Sequence, residues 1–518
     1  MDTTHADVLV LGTGVPEAVC SAAAARARKS VIHVDENDCY GSSWASLTLE
    51  ELARHDGVRF PRAGDLPKGA LPADLAPLNR HYALSLRPAL LPAAGPMIEA
   101  LVRSNVASYA TFRLLEHVCI YDGELARVPG SKSEVFKERT VSLADKRRLM
   151  RFLERVAPAP DGTPAAPDAP DASIAAVIAD TGLDARLQDA LLYGVCMSWR
   201  GDERADTALA RTAAVLGGYG RYGNSSLLVG QYGGAGELAQ GFCRAAAVHG
   251  ATFVLGHRVS SLVHDGNKWT LELHGVDHSF TANTLVGSAD SVHRALGGGG
   301  ASAHTYEHVG IIVLDAPLAL DAEREPESAL VVIPPHVAET ENAVMVIMQG
   351  EGTFSCPKGH YVYHLVTHAA SPNGALSKAA ALVCAMTGPA AAVPLVEYFT
   401  SRPLASGAAD MPHCVIVGDG VPSRADSTLY PRTAPAQPVP NPTETLDHAV
   451  YNAEDAFWAA LGTQPQRDEA RAADAARRAA RDPSEYEGRG GVEPSPAALS
   501  YAELEFFAPR ESSRDDDM

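Results

Sequence analysis

Near its start the chain reads DVLVLGTGVPE (residues 7–17), followed by an alanine-rich run to Arg28 and a second apolar run, VIHVD (residues 31–35). The two apolar runs have the length of buried strands, and the run between them has the composition of a helix. Gly12 and Gly14 stand at the turn from the first strand into the helix. This order predicts a βαβ unit with parallel strands, and therefore an α/β fold.

The turn departs from the dinucleotide-binding pattern G-x-G-x-x-G, because Glu17 holds the place of the third glycine. A phosphate at such a turn is bound by the free N–H groups and the positive dipole at the helix start. A carboxylate there competes for those donors and repels phosphate, and Pro16 removes one N–H. We therefore predict a vestigial nucleotide loop (Gly12, Gly14 and Glu17) and no cofactor. The alternative is a working flavin or nicotinamide site, for which Asp35 is a plausible ribose ligand.

Composition bounds the class of protein. The 518 residues suggest two domains with linkers, and a formal charge of −20 argues against nucleic-acid binding. Eight cysteines without a C-x-x-C motif favour reduced thiols in the cytosol. The sequence shows neither a secretory signal pattern nor an apolar run of about 20 residues that could span a bilayer. We expect a cytoplasmic protein.

Changes in composition and apolar pattern along the chain predict its domain organisation. Residues 1–140 form the first part of a large domain, residues 141–216 an inserted helical domain, and residues 217–461 the second part of the large domain. A Pro/Ala/Asp-rich linker at 157–172 and a charged tail at 462–518 are predicted to be disordered. Four apolar runs predict a second, largely antiparallel sheet: residues 309–314, 329–333, 343–348 and 360–365.

Several long motifs in the same order resemble the superfamily of Rab escort proteins and Rab GDP dissociation inhibitors. The matching segments are DVLVLGTGVPE (7–17), YGSSWASL (40–47), RSNV (103–106), RYGN (221–224), residues 232–244 and DHAV (447–450). Features that resemble the escort branch more than the inhibitors are Pro16 beside Glu17, Trp44, VPGSKSEVF (128–136), IPP (333–335) and CPKG (356–359). The resemblance implies a flavin-monooxygenase-like large domain that combines a βαβ nucleotide-type half with a mixed or antiparallel sheet. A small all-α domain is inserted into it, and no flavin is expected.

The resemblance implies an accessory function without catalysis. Escort proteins bind Rab GTPases in the GDP form, present them to the Rab geranylgeranyltransferase heterodimer for C-terminal prenylation, and carry the product to membranes. The nearer alternative is a Rab GDP dissociation inhibitor, which recycles prenylated Rabs. The more distant one is an FAD-dependent oxidoreductase, which Gly12, Gly14 and Asp35 would suit and Glu17 would not.

The family's Rab-binding platform maps onto Tyr40, Glu237, Arg244, Phe253 and Val254. The inhibitors typically carry Tyr and Met at the last two positions, so the contact here keeps its apolar character. Glu237 and Arg244 are seven residues apart, so on a helix they share one face. Their spacing alone would also suit a surface ion-pair pattern.

The helical insert matches the region that in the family docks the transferase and holds the geranylgeranyl chain. We expect a prenyl groove lined by Leu187, Leu191, Val195 and Met197, although such a stripe is also typical of a plain helical core. In escort proteins a bulky aromatic in this helix helps to grip the transferase, and the matching position here is Ala190. The strands around residues 329–365 would hold the Rab C-terminal tail.

Overall fold

The computed structural model describes residues 2–137, 141–157, 172–298, 305–320, 325–371, 376–388, 392–404, 411–418, 439–480 and 504–507. The strands of this part of the chain are β1 (Asp2–Leu11), β2 (Val31–Asp35), β3 (Ser46–Leu47), β4 (Leu84–Ser85), β5 (Leu90–Pro92), β6 (Phe112–Leu114), β7 (His117–Tyr121), β8 (Leu125–Arg127), β9 (Leu227–Gly230), β10 (Thr252–Leu255), β11 (Val259–His264), β12 (Trp269–Leu273), β13 (His278–Ser288), β14 (Tyr306–Leu314), β15 (Ser328–Ile333), β16 (Val344–Gln349), β17 (Tyr361–Ala369), β18 (Val396–Pro403) and β19 (Cys414–Val417).

The α-helices are α1 (Val15–Arg26), α2 (Leu49–Ala53), α3 (Pro96–Ser104), α4 (Lys132–Lys137), α5 (Leu143–Val156), α6 (Ile174–Ala179), α7 (Ala185–Asp189), α8 (Ala205–Gly217), α9 (Ala235–Val248), α10 (Ala289–Ala295), α11 (Pro335–Ala338), α12 (Ser377–Ala385), α13 (Thr445–Leu461) and α14 (Gln464–Ala480). A π-helix, Ala190–Val195, continues α7 without a break. Among the described residues, no helix is both long and apolar enough to cross a bilayer.

The first sheet contains the predicted βαβ unit. Its strand order is β10-β2-β1-β13-β12-β11, with β19 also paired to β13. The strands β10, β2, β1 and β13 are parallel, whereas β11, β12 and β13 are antiparallel. Helix α1 packs beneath β1, and its buried alanines allow α9 and α13 to approach closely. The predicted glycine turn connects β1 to α1, and Gly12 in this turn adopts a φ of +94° that other residues avoid.

The second sheet confirms the predicted antiparallel architecture. Its strand order is β18-β14-β17-β16-β15-β7-β8, and every neighbouring pair is antiparallel except β15 and β7. The four apolar runs predicted to form it correspond to β14, β15, β16 and β17, and all four are buried along most of their length.

The helices α5 to α8 cover one face of this second sheet. Phe152 of α5, Ile178 of α6 and Leu191 of the π-helix share a core with Leu330 of β15 and Met345 of β16. The inserted helices therefore have no separate core within the described residues. Residues 158–171 of the predicted linker lie outside those residues.

The predicted disordered tail is wrong for residues 464–480, which form α14. Arg103 of α3 is 2.7 Å from Asp474, and Arg467 is 2.8 Å from Asp455 of α13, so ion pairs hold the helix against the large domain. Arg477 is 2.9 Å from Glu505, which ties residues 504–507 to α14. Phe507 is also buried, 1% exposed, against the α9 side of the first sheet. Sequence reasoning missed this docking because α14 buries charged side chains in pairs rather than an apolar stripe. Residues 481–503 and 508–518 lie outside the described part.

Candidate functional site

The carboxylate of Glu17 covers the nucleotide loop. Glu17 lies in the first turn of α1 and is only 3% exposed. A Cβ atom on Gly14 would be 2.5 Å from its Oε2, and one on Gly12 would be 3.8 Å from its Oε1. The acid therefore occupies the space beside Gly14 and reaches van der Waals distance of Gly12, whose nearer neighbours are the hydroxyl groups of Ser291 and Ser42. This is the arrangement expected when the third glycine of the pattern is replaced by a carboxylate.

Asp35, the candidate ribose ligand, is hydrogen-bonded within the protein. Its Oδ2 accepts from the backbone N–H of Thr13 at 2.8 Å and from the Ser42 hydroxyl at 2.6 Å. Its Oδ1 accepts from the backbone N–H of Asn37 at 2.9 Å. With Glu17 over the loop and both oxygens of Asp35 engaged, these residues do not fit the pyrophosphate and ribose of a dinucleotide.

Two of the predicted Rab-binding residues meet at the edge of the first sheet. The ring of Tyr40, in the loop after β2, makes an edge contact with the ring of Phe253 on β10, with centroids 5.8 Å apart. Phe253 also stacks on the buried ring of His33 at 4.8 Å. Burial raises the pKa of the Tyr40 phenol. The ring of Phe253 is fixed by its contact with buried His33. Because β10 is the edge strand, the rings of Tyr40 and Phe253 also remain half-exposed to solvent.

Val254 does not join that group. Successive side chains of a strand point to opposite faces. Phe253 packs against the α1 and α9 side of the first sheet, whereas Val254 packs against the core on the opposite side. A partner could touch both residues only by reaching around the edge of β10.

Helix α9 presents the two predicted charged residues on one exposed face. Its opposite face is buried through Leu238 and Phe242, which fixes the orientation of the helix. Glu237 and Arg244 are both exposed, and within the described residues neither forms an ion pair. The surface ion-pair alternative is therefore not realised in the described structure. Partial burial of its carboxyl group raises the pKa of Glu237.

Arg244 has an aromatic partner that sequence reasoning missed. Its guanidinium lies 4.5 Å from the centroid of the Tyr109 ring, and Tyr109 is itself 45% exposed. Such a contact holds the cation in place without neutralising it. Tyr109 follows α3 as an isolated aromatic, so nothing in its local sequence signals the contact.

A second missed feature is an exposed aromatic pair beside the start of α9. The rings of Tyr232 and Phe354 stack with centroids 5.1 Å apart, and each side chain is about half-exposed. Both residues have positive φ values, 54° and 53°, and the Tyr232 N–H donates to the Thr353 carbonyl at 3.1 Å. Positive φ costs energy in a non-glycine residue, and such strain often occurs at functional sites.

The predicted prenyl-groove residues lie in a closed core. Leu191, Val195 and Met197 are buried, and Leu187 is partly buried beside them. The backbone carbonyl of Met197 accepts from Arg211 at 2.6 Å and from Asn441 at 2.8 Å, which fixes the end of the π-helix. A lipid chain could reach these side chains only if the helices moved apart.

A buried ionic network links the second sheet to the segment between β4 and β5. Glu307 of β14 pairs with Arg87, at 3.5 Å, and with Arg402. Although burial raises the pKa of Glu307, the two guanidinium groups outweigh it and hold that pKa well below its usual range. Arg87 also lies 4.2 Å from the ring centroid of Trp44. The network therefore places paired charge beside β14 and β18 of the second sheet.

One group of side chains in the described residues could hold a metal ion. The carboxylates of Asp122 and Asp189 and the imidazole of His336 offer ligand atoms within 4.8 Å of one another. His336 Nε2 is 3.4 Å from Asp122 and 4.0 Å from Asp189, so the group also links the turn after β7 to α7 and α11 by polar contacts. We assign it that structural role.

Comparison with known proteins gives consistent results. A sequence model of the family described as GDP dissociation inhibitor matches residues 1–399. The Rab proteins geranylgeranyltransferase component A of Drosophila melanogaster is 27% identical over 392 residues, covering 71% of this chain and 75% of that protein. The Rab GDI of Plasmodium falciparum superposes with a TM-score of 0.67 and 18% identity, over 88% of this chain and 98% of that one. An oxidoreductase of Methanosarcina mazei superposes with a TM-score of 0.53 and 11% identity, over 87% and 99%. These two likenesses confirm the predicted fold class.

Proposed function

The chain belongs to the GDP dissociation inhibitor family, and from that relationship we propose that it is a Rab escort protein. It binds Rab GTPases in the GDP form and presents them to Rab geranylgeranyltransferase. It then delivers the prenylated product from the cytoplasm to membranes, and it catalyses no step itself. Similarity to a geranylgeranyltransferase component A supports the escort branch.

One observation carries the Rab-binding part of the proposal: an exposed charged face lies beside a half-exposed aromatic group. Glu237 and Arg244 project from α9, and Tyr40 contacts Phe253 at the neighbouring sheet edge. The two charges are about 10 Å apart along the helix, since each residue adds about 1.5 Å. They therefore offer one acceptor and one donor to separate groups of a GTPase, while the aromatic edge supplies apolar contact.

The lipid-carrying part of the proposal requires the insert to open. Burial of each CH₂ contributes about 0.8 kcal/mol, so a twenty-carbon chain gains on the order of 15 kcal/mol on leaving water. Leu191, Val195 and Met197 are the apolar surface that parting helices would expose. The lipid would then replace contacts that these side chains now make with the second sheet.

A Rab GDP dissociation inhibitor is the second candidate function, favoured by the description of the matching family. It differs from an escort protein in one testable respect, because it does not support prenylation. An oxidoreductase is disfavoured by Glu17, which covers the loop that a flavin pyrophosphate would need.

The decisive experiment combines a binding assay with a prenylation assay. The purified chain should retain GDP-loaded Rab better than Rab loaded with a GTP analogue. It should also stimulate geranylgeranyl transfer by the transferase to unprenylated Rab. Glu237→Ala and Arg244→Ala should weaken Rab retention. The matched controls Glu272→Ala and Arg258→Ala remove the same charges from exposed positions elsewhere and should leave it unchanged.

Retention of Rab without stimulated transfer would assign the chain to the inhibitor branch. Loss of binding in the controls and the α9 variants alike would contradict the proposed platform.

A further inference from the structure

An unusual surface lies at the start of helix α5. Phe136 and Leu143 are 75% and 74% exposed, more than any other large apolar side chain of the described residues. Each has a buried neighbour that fixes its direction, since Val135 is 1% exposed and Leu149, six residues along α5, is 4% exposed. The two apolar side chains are therefore held outward by the packing of the elements that carry them.

Phe136, near the end of α4, lies beside the first turn of α5, which begins at Leu143. The ammonium group of Lys146, one turn after Leu143, donates to the Phe136 carbonyl at 2.9 Å. The same ammonium is 6.0 Å from the centroid of the Phe136 ring. This contact joins the end of α4 to the first turn of α5.

A basic strip continues from Leu143 along the exposed side of α5. Arg147, Arg151 and Arg155 follow it at intervals of four residues, and all three are exposed. Within the described residues none of the three guanidinium groups forms an ion pair. The buried face of the helix, through Phe152 and its neighbours, prevents it from turning the strip inward.

The local charge is opposite to that of the whole chain. Helix α5 carries five basic and two acidic residues, in a protein with a formal charge of −20. The long-range field of the protein would repel a nucleic acid. A short-range contact in which only this strip approaches an anionic surface is still favourable, because interactions beyond about 10 Å are screened at physiological salt.

We propose that this surface, the apolar pair Phe136 and Leu143 with the basic strip Arg147, Arg151 and Arg155, binds the anionic surface of a lipid bilayer. The three arginines pair with acidic headgroups, while the phenylalanine and the leucine enter the interfacial layer. The contact is weak and reversible, which suits a carrier that must leave the membrane again. This inference concerns the membrane-delivery part of the proposed function, and its biological meaning rests on that function. The vesicle-binding test does not depend on it.

The test uses the full chain without any GTPase. Its partition onto sucrose-loaded vesicles of phosphatidylcholine, with or without phosphatidylserine, is measured by sedimentation at low and high salt. We expect binding that requires phosphatidylserine and weakens with salt. Arg147→Gln/Arg151→Gln should reduce the partition coefficient about fivefold for each arginine removed. Phe136→Ser/Leu143→Ser should also reduce it.

Two control variants make the result specific. Arg80→Gln/Arg258→Gln removes the same charge from exposed positions outside the strip, and Val263→Ser removes an exposed apolar side chain from β11. Both should bind vesicles like the original protein, and all variants should unfold at the same temperature.

Three outcomes would overturn the proposal: no preference for phosphatidylserine, equal loss in the strip variants and the arginine control, or vesicle binding unaffected by the strip variants. The last would show that the strip is not the surface that contacts the bilayer. Retention of GDP-loaded Rab by the same variants is measured separately, so that failure here and failure of the Rab-binding proposal give different results.

Discussion

Oε2 of Glu17 lies 2.5 Å from the point that a Cβ atom on Gly14 would occupy. Gly14 has φ and ψ values of −61° and 168°, which any residue can adopt, so only this contact and one with Trp44 make the position demand glycine. The carboxylate of Glu17 thus occupies the space that a side chain at Gly14 would need.

Gly14→Ala should therefore destabilise the protein by about 1–3 kcal/mol, because the added methyl group overpacks the loop. In a Glu17→Ala background, Gly14→Ala should lower the free energy of unfolding by clearly less, since the carboxylate that the methyl group would contact is gone. Urea unfolding of the four proteins measures the difference. An equal cost in both backgrounds would contradict the steric coupling between the two residues.

The stability of the protein should also depend on the titration of Asp447. Burial raises the pKa of this carboxyl to about 7, while a hydrogen bond from the Met97 N–H opposes the shift. In the unfolded chain the pKa is about 3.9, so the folded state binds the proton more tightly. The contribution of Asp447 to the free energy of unfolding should therefore fall as the pH rises from about 4 to about 7.

Asp447→Asn keeps an acceptor for Met97 and removes the charge. The variant should gain stability over the original protein as the pH rises to neutrality, and the gain should vanish toward pH 4. Asp277→Asn, at an exposed position, serves as the control and should show no such trend. A constant difference between Asp447→Asn and the original protein at every pH would refute the assignment.

Glu307→Gln tests the buried ionic network beside β14. The change removes the negative charge that pairs with the buried guanidinium group of Arg87 and the partly buried one of Arg402. Removal of one partner from a buried ion pair costs about 3–5 kcal/mol. Chemical denaturation at neutral pH should show a loss of that size. Glu272→Gln, an exposed change of the same type, should stay within about 0.5 kcal/mol of the original.

The docked end of the chain gives a fourth prediction. Phe507 is buried against Phe242, with ring centroids 6.1 Å apart. Phe507→Ala should cost about 3–5 kcal/mol, because it leaves a cavity in the core of the first sheet. Asp474→Asn should also destabilise, since it weakens the pairs with Arg103 and Arg477. A tail that contributed nothing to stability would leave both variants unchanged.

The sequence could predict those features whose pattern lies within a short stretch of the chain, and it could not predict contacts between distant stretches. The βαβ unit was predictable because apolar period, glycine turn and helix composition agree within residues 7–35. The separation of Phe253 from Val254 was also predictable, since a strand at 252–255 already places neighbours on opposite faces. Docking of α14 was not, because the ion pair from Arg103 to Asp474 joins residues far apart in the chain.

The stacked pair of Tyr232 and Phe354 shows the same limit at the site itself. The two rings meet only because the start of α9 and the connection between β16 and β17 come together in the fold. Neither residue belongs to a periodic pattern, and neither positive φ value has a glycine to signal it. Long-range pairing of loops is the information that a single sequence lacks.

The common core of the helical insert and the second sheet has a mechanical consequence. Leu191 and Val195 pack on the same face that β15 and β16 present, so the helices cannot separate without wetting those strands. A lipid chain that enters between the helices must exclude water from that face again once it is bound. Amide hydrogen exchange at Leu330 and Met345 should then accelerate while the helices are apart and slow again once the lipid chain is bound. The exchange rates of these two strand residues would therefore measure lipid binding.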